Sequence, residues 1–96
     1  MKAKVSVVKV GGAVLEDVDK RKAFLQAFFS LATPKVLVHG GGRRATDVAA
    51  RLGVEAPMID GRRITSPEMM DIALMVYGGL VNKTMVAQLQ SYGIDA

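Results

Sequence analysis

The chain has 96 residues, 50% of them hydrophobic, and its 13 basic and 9 acidic side chains give a formal net charge of +4. This share of apolar residues offsets the entropy of ordering and excludes an intrinsically disordered chain. The absence of cysteine excludes disulfides and thiolate metal sites. The modest positive charge favours a small anionic ligand over a nucleic acid.

The uninterrupted apolar runs hold only a few residues, far short of the roughly 20 that cross a bilayer. The N-terminal stretch has lysines but neither a continuous apolar core nor a small-residue cleavage site, so it does not match a secretory signal. We therefore expect a cytoplasmic protein that contacts no membrane.

The first third of the chain predicts a strand followed by a helix. Residues 4–10 are rich in valine, and a Gly-Gly pair ends the run, as is typical of a strand. Residues 17–31 carry large apolar side chains at helical spacing, and Asp17 or Asp19 is the expected N-cap. Pro34 ends this region because proline disfavours helical backbone in the preceding residue.

A second strand is predicted over residues 35–39, and the apolar run 36–38 favours burial on both faces, as in a parallel sheet. A helix from about residue 43 to 52 follows, and Gly53 suits its C-terminal end. The strand, helix and strand form a βαβ unit, which is expected to be parallel and right-handed. The sequence therefore predicts an α/β fold.

The next segment predicts a β-hairpin and then a long helical region. Asp60-Gly61 lies between two short extended pieces and matches a two-residue hairpin turn. Thr65 and Ser66 both suit the N-cap of the following helix, and Thr65 with Glu68 has the spacing of a capping box. Helical periodicity weakens at Gly78-Gly79 and then resumes, and the methionines of this region are expected to pack a core or a dimer face.

Each of the two predicted parallel strands is followed by glycines, Gly11-Gly12 after the first and Gly40-Gly41-Gly42 after the second. Because the carboxyl ends of parallel strands lie at one edge of a sheet, both clusters are expected at the ligand-binding edge. Backbone N–H groups in such turns and at a helix N-terminus bind anions. Lys9 adds a cation at the end of an apolar strand, so we expect a phosphate or a carboxylate there.

Arg62 and Arg63 follow the hairpin turn. Adjacent strand residues point to opposite faces, so at most one of these two arginines enters a given site. Arginine suits bidentate recognition of a carboxylate, although a pair of solvated hairpin arginines explains the composition equally well.

A second interpretation is a dinucleotide- or anion-binding Rossmann-like module without catalysis. Gly40, Gly42 and Ala45 match the spacing of the dinucleotide fingerprint, and Asp60 lies about 20 residues further on. That acid should end a long buried strand, whereas only two apolar residues precede it, and Lys9 would have no role. No clustered histidine or carboxylate spacing indicates a metal site.

Three segments taken together resemble the N-terminal part of the acetylglutamate kinase family, within the amino acid kinase superfamily. They are VVKVGGAVL, VLVHGGGRRATDVAARLG and DGRRITSPEMMDIALMVYGGLVNKTMVAQL, and the resemblance covers essentially the whole chain. Lys-x-Gly-Gly alone is common to the superfamily. His-Gly-Gly-Gly, Gly-x-Arg-[Ile/Val]-Thr and Val-Asn-Lys in this order are much more specific.

The resemblance implies ATP-dependent phosphorylation of the side-chain carboxylate of N-acetyl-L-glutamate, an early step of arginine biosynthesis. Arg63 matches the motif arginine that clamps the α-carboxylate of this substrate, whereas Arg62 falls at a variable position of the motif. The resemblance also implies a lysine that stabilises the transition state, two glycines that bind the phosphoryl group and two that bind the acylated amino acid. These are, in that order, Lys9, Gly11 and Gly12, Gly41 and Gly42.

The implied fold is a three-layer αβα arrangement with a mainly parallel sheet, of which residues 1–96 form the N-terminal, amino-acid-binding domain. The ATP-binding C-terminal domain of the family is absent from this chain, so we expect the isolated chain to be inactive. ATP, with Mg²⁺ carried by the nucleotide, is the implied phosphoryl donor, and N-acetyl-L-glutamate or another N-acylglutamate is the acceptor. A homodimer or higher homo-oligomer is also implied, without a nucleic-acid partner.

Overall fold

The computed structural model describes residues 4–96, which form two compact units. One unit comprises the described residues up to Gly40 together with Met85–Ala96, and the other comprises Gly41–Thr84. Helices and strands occur in both units, and the predicted α/β class is confirmed.

The first unit contains a parallel strand pair. Strand β1 spans Ser6–Val10 and strand β2 spans Lys35–His39. Their register places Val10 opposite His39, so both strands end at the same edge of the sheet. The parallel pairing predicted from the sequence is confirmed.

One face of this strand pair is exposed in the described part of the chain. Val36 and Val38 keep 48% and 42% of their surface exposed, whereas Leu37 between them is half-buried. The expected burial of β2 on both faces is therefore wrong for residues 4–96. Side chains alternate across a strand, and an apolar run does not reveal whether both faces have a covering layer.

Two helices connect β1 to β2. Helix α1 spans Gly12–Glu16, a single short helix that the sequence did not predict, and helix α2 spans Val18–Phe29. The Asp17 carboxylate caps α2 by accepting hydrogen bonds from the N–H groups of Asp19 and Lys20, each at 3.0 Å. Of the two predicted capping residues, Asp17 is thus the one that acts.

Lys35 fixes the connection from α2 to β2. Its ammonium group donates hydrogen bonds to the carbonyl oxygens of Phe29 and Leu31, at 2.9 and 2.8 Å. Phe29 ends α2 and Leu31 follows it closely, and a cation at this end of a helix also interacts favourably with the helix dipole. The same ammonium lies 5.3 Å from the centroid of the Phe28 ring. The start of β2 is therefore tied to the end of α2.

In the second unit, helix α3 spans Gly42–Arg51. Gly53 adopts a positive φ of 73°, and the N–H of Val54 donates to the carbonyl oxygen of Ala49 at 2.9 Å. This geometry closes the helix at the glycine that the sequence indicated.

The predicted hairpin is also confirmed. Strand β3 spans Met58–Ile59, strand β4 spans Arg62–Arg63, and the two pair antiparallel. Asp60 and Gly61 have φ angles of 50° and 75°, the left-handed conformations that a tight two-residue hairpin turn requires.

Helix α4 spans Pro67–Leu74 and begins at a serine cap. The Ser66 hydroxyl accepts a hydrogen bond from the N–H of Met69 at 3.1 Å. Because Pro67 is the first helical residue, Ser66 occupies the N-cap and the Thr65-based capping box does not form.

A π-helix over Met75–Val81 follows α4 and leads into helix α5, Asn82–Ser91. The Gly78-Gly79 pair thus lies in a π-helical part of a continuous helix and does not end it. Over Pro67–Ser91 the helix is, by length and composition alone, apolar enough to cross a membrane, a test that core helices of soluble proteins also pass. Five of its apolar side chains are buried, namely Met69, Ile72, Val76, Met85 and Leu89.

The core of the second unit joins α3 to α4 and to the π-helix. Ala45 and Ala49 lie one turn apart on α3 and are fully buried. They pack with Met69, Ile72 and Val76. Alanine has a small side chain, so α3 approaches the neighbouring helix closely. This packing fixes the beginning of α3, where the second glycine cluster lies.

Candidate functional site

The glycines of the first unit leave the sheet at its carboxyl edge. Gly11 directly follows β1 and is the N-cap residue of α1, and Gly40 directly follows β2. Since Val10 lies opposite His39, Gly11 and Gly40 depart from the same end of neighbouring strands. The predicted common edge is therefore observed for these two glycines.

The surroundings of Lys9, Gly11 and Gly12 are open. Lys9 is exposed, lies opposite Val38, and has no hydrogen-bond or ion-pair partner within the described residues. A Cβ added at Gly11 or Gly12 would meet no atom within 4 Å. Packing within residues 4–96 therefore does not explain why glycine occupies these positions.

Gly41 forms a buried turn that only glycine fits. Its φ of 156° lies outside the range that L side chains ordinarily adopt. A Cβ at this position would lie 3.1 Å from Cδ1 of Tyr77 and 3.3 Å from Cγ2 of Val81. The backbone of Gly41 is thus in close contact with the π-helix.

Arg63 reaches from β4 to the beginning of α3. Its Nη2 donates hydrogen bonds to the carbonyl oxygen of Gly42 at 2.6 Å and to Oγ1 of Thr46 at 3.0 Å. Its Nη1 lies 3.7 Å from Sδ of Met69. These contacts hold a half-buried guanidinium group in one orientation. The neighbouring Arg62 is exposed, so strand alternation selects one arginine of the pair.

The guanidinium of Arg63 retains donors for a ligand. Arginine carries five N–H donors, and no carboxylate is paired with Arg63 in the described part of the chain. The N–H groups of Gly42 and Arg44 also lack intrahelical acceptors, because the first bond of α3 runs from the N–H of Ala45 to the carbonyl oxygen of Gly41 at 2.8 Å. A guanidinium beside a helix N-terminus suits a carboxylate or a phosphate.

The structure thus brings three predicted site residues together in the second unit, Gly41, Gly42 and Arg63. Lys9, Gly11 and Gly12 belong to the first unit. Sequence reasoning missed Thr46, which holds Arg63 from the next turn of α3, and Tyr77, which contacts Gly41 and Gly42. The only local signal for Tyr77 was its position next to the Gly78-Gly79 pair.

Asp60 does not occupy the position that dinucleotide binding requires. It lies in the turn between two antiparallel strands of two residues each. The acid of the dinucleotide fingerprint instead ends a strand of a parallel sheet. Across residues 4–96, no group of three or more histidine, aspartate or glutamate side chains converges.

Comparison with known proteins identifies the family to which the sequence is similar. A sequence profile described as "Amino acid kinase family" matches residues 4–96. Acetylglutamate kinase of Bacteroides thetaiotaomicron is 50% identical over 96 residues, which are 100% of this chain and 37% of that protein. Acetylglutamate kinase of Cytophaga hutchinsonii is 51% identical over 93 residues, covering 97% of this chain and 35% of that protein. The chain thus spans 37% of the length of the first of these relatives.

A solved structure matches the fold. The crystal structure of smu.665 from Streptococcus mutans UA159 superposes with a TM-score of 0.76 at 24% identity, covering 94% of this chain and 37% of that one. At this identity the likeness concerns the fold alone.

Proposed function

Because the chain belongs to the amino acid kinase family, we propose that it is the amino-acid-binding part of an acetylglutamate kinase. In this reaction the side-chain carboxylate of N-acetyl-L-glutamate attacks the γ-phosphorus of ATP, the bond to the bridging oxygen breaks, and ADP leaves. One observation carries the proposal. The Arg63 guanidinium is anchored at Gly42, within a chain that is 50% identical to a known acetylglutamate kinase.

Arg63 and the Gly41-Gly42 turn bind the acylated amino acid in this proposal. The remaining Nε and Nη1 hydrogens of Arg63, together with the charge of the guanidinium, attract the α-carboxylate. The N–H groups of Gly42 and Arg44, at the start of α3, add neutral donors for the polar groups of the same substrate. Positioning of this kind provides much of the rate enhancement in phosphoryl transfer, because the protein performs little covalent chemistry.

Lys9, Gly11 and Gly12 act on the phosphoryl group. Negative charge spreads over the equatorial oxygens of the transferring group, and the exposed ammonium of Lys9 neutralises it. The open space at Gly11 and Gly12 supports a close approach of phosphate oxygens to their N–H groups. The same space suits ATP, which enters as a substrate together with its Mg²⁺.

The remaining parts of the proposal concern the larger protein. The family relation supports an ATP-binding domain beyond the matched 37% of the relatives and a cytoplasmic location. A homodimer or higher homo-oligomer is supported by exposed apolar side chains on α4 and the π-helix, at Met70, Leu74, Met75 and Leu80. The acceptor in this proposal is N-acetyl-L-glutamate, with other N-acylglutamates as the alternatives.

A phosphoryl-transfer assay on the full-length protein tests the proposal. Hydroxylamine converts an acyl phosphate to a hydroxamate, which reports transfer to a carboxylate. We expect ATP-dependent hydroxamate formation with N-acetyl-L-glutamate or with N-succinyl-L-glutamate, and little with free L-glutamate, whose α-ammonium replaces the acylated nitrogen. If none of these acceptors gave a hydroxamate, the proposed function would be wrong.

A further inference from the structure

Tyr77 lies along the glycine turn that begins α3. Its ring carbons Cδ1 and Cε1 lie 3.1 and 3.3 Å from the position that a Cβ on Gly41 would occupy. Its hydroxyl lies 3.2 Å from the corresponding position on Gly42. The side chain therefore extends from Gly41 towards Gly42, with its polar end at the first residue of α3.

The Tyr77 hydroxyl and the Arg63 guanidinium both lie close to Gly42. The Cβ position of Gly42 lies 3.2 Å from the Tyr77 oxygen and 3.4 Å from Nη2 of Arg63, so both polar groups border the same small space. Within residues 4–96 the Tyr77 hydroxyl makes no hydrogen bond, and Tyr77 keeps 38% of its surface exposed. A donor that the protein leaves unused thus lies beside a cation that also has unused donors.

The π-helix explains how the sequence presents this hydroxyl. Tyr77 lies in the middle of the widened segment Met75–Val81, and Val76 beside it is buried in the core. The Gly78-Gly79 pair lowers the cost of the unusual backbone, because glycine has no side chain to crowd the wider turn. Single π-helical turns inside α-helices occur frequently at functional sites.

We propose that the Tyr77 hydroxyl donates a hydrogen bond to the same substrate carboxylate that Arg63 binds, which makes Tyr77 a specificity-determining residue. This inference rests on the proposed function, since it names a second donor for the acylated amino acid. A carboxylate has about four lone-pair sites, so it accepts from a guanidinium and a hydroxyl together. Two donors from different elements, β4 and the π-helix, fix the plane of the carboxylate and discriminate against acceptors that lack it.

Tyr77→Phe in the full-length protein tests this role, because it removes the hydroxyl and keeps the ring that packs on Gly41. A hydrogen bond to a charged group is worth enough that we expect the Kd for N-acetyl-L-glutamate to rise about tenfold or more. The KM for ATP and the Tm should remain those of the parent. Tyr92→Phe is the matched control, since that hydroxyl belongs to the first unit and accepts from Nε2 of Gln88 at 3.1 Å.

A second ligand distinguishes a role of Tyr77 in substrate specificity from a role in packing alone. 4-Acetamidobutyrate keeps the phosphoryl-accepting carboxylate and lacks the α-carboxylate, so Tyr77→Phe should change its kcat/KM by less than about twofold. The inference would be overturned if Tyr77→Phe bound N-acetyl-L-glutamate as tightly as the unmodified parent protein. It would also be overturned if the substitution impaired the use of N-acetyl-L-glutamate and of 4-acetamidobutyrate to the same extent. In either case an active parent would leave the proposed function intact. A parent that neither binds nor phosphorylates N-acetyl-L-glutamate would overturn both.

Discussion

Nη2 of Arg63 lies 2.6 Å from the carbonyl oxygen of Gly42, so the second strand of the hairpin is joined to the first residue of α3. The two residues are 21 positions apart in the chain. The bond places a guanidinium group beside a helix N-terminus, and both attract anions.

Gly41→Ala should destabilise the protein. The new Cβ would lie 3.1 Å from the Tyr77 ring, at a φ of 156° that alanine avoids. We expect a loss of about 1–3 kcal/mol in the free energy of unfolding, measured by urea denaturation. Full stability of the variant would contradict the described turn.

Gly12→Ala, unlike Gly41→Ala, should leave stability intact and lower the turnover rate. Gly12 is the first residue of α1, a Cβ there meets nothing within 4 Å, and alanine favours helix, so stability should not fall. If phosphate oxygens approach this backbone, the Cβ obstructs them, and kcat should fall by about 10- to 100-fold. Parent-like kcat in a stable Gly12→Ala protein would rule out that approach.

Lys9→Ala should affect turnover far more than acceptor binding. The exposed ammonium has no structural partner within residues 4–96, so its removal should leave the Tm unchanged. Loss of a cation that acts on the transferring phosphoryl group should lower kcat by about 100-fold or more. Steady-state kinetics with N-acetyl-L-glutamate would measure this, and near-normal kcat would refute the role of Lys9.

Ser66→Ala should cost about 1 kcal/mol of stability, because the hydroxyl accepts from the N–H of Met69 at the N-terminus of α4. Thr65→Ala is the control and should change stability by less than about 0.5 kcal/mol. Urea denaturation of both variants distinguishes the two residues. A larger loss for Thr65→Ala would mean that the cap was assigned to the wrong residue.

Local signals in the sequence were sufficient for several elements. The Asp60-Gly61 pair predicted the hairpin because few other residues adopt two successive left-handed conformations. Valine-rich runs followed by glycines predicted both parallel strands, and Gly53 predicted the end of α3. The hairpin turn and the end of α3 depend on residues close in sequence, whereas the pairing of the two strands joins distant residues such as Val10 and His39.

Other features of the structure left too little local signal in the sequence to be predicted. Helix α1 is five residues long, too short to show a helical period. The placement of Tyr77 against Gly41 depends on packing between segments more than 30 residues apart, as the residue numbers show. The choice of Arg63 over Arg62 followed from the family motif, whereas its physical reason, the bond from Arg63 to the beginning of α3, is visible only in the fold.

Binding of N-acetyl-L-glutamate to Arg63→Lys tests the central claim most directly, with Arg62→Lys as the matched control on the exposed neighbour. Lysine keeps the charge but loses the planar guanidinium and its hydrogen bonds to Gly42 and Thr46, so calorimetry on the full-length protein should show about a tenfold or greater rise in Kd. Arg62→Lys should bind like the parent. Equal affinity of parent and Arg63→Lys, or a loss confined to Arg62→Lys, would contradict the assignment of the substrate carboxylate to Arg63.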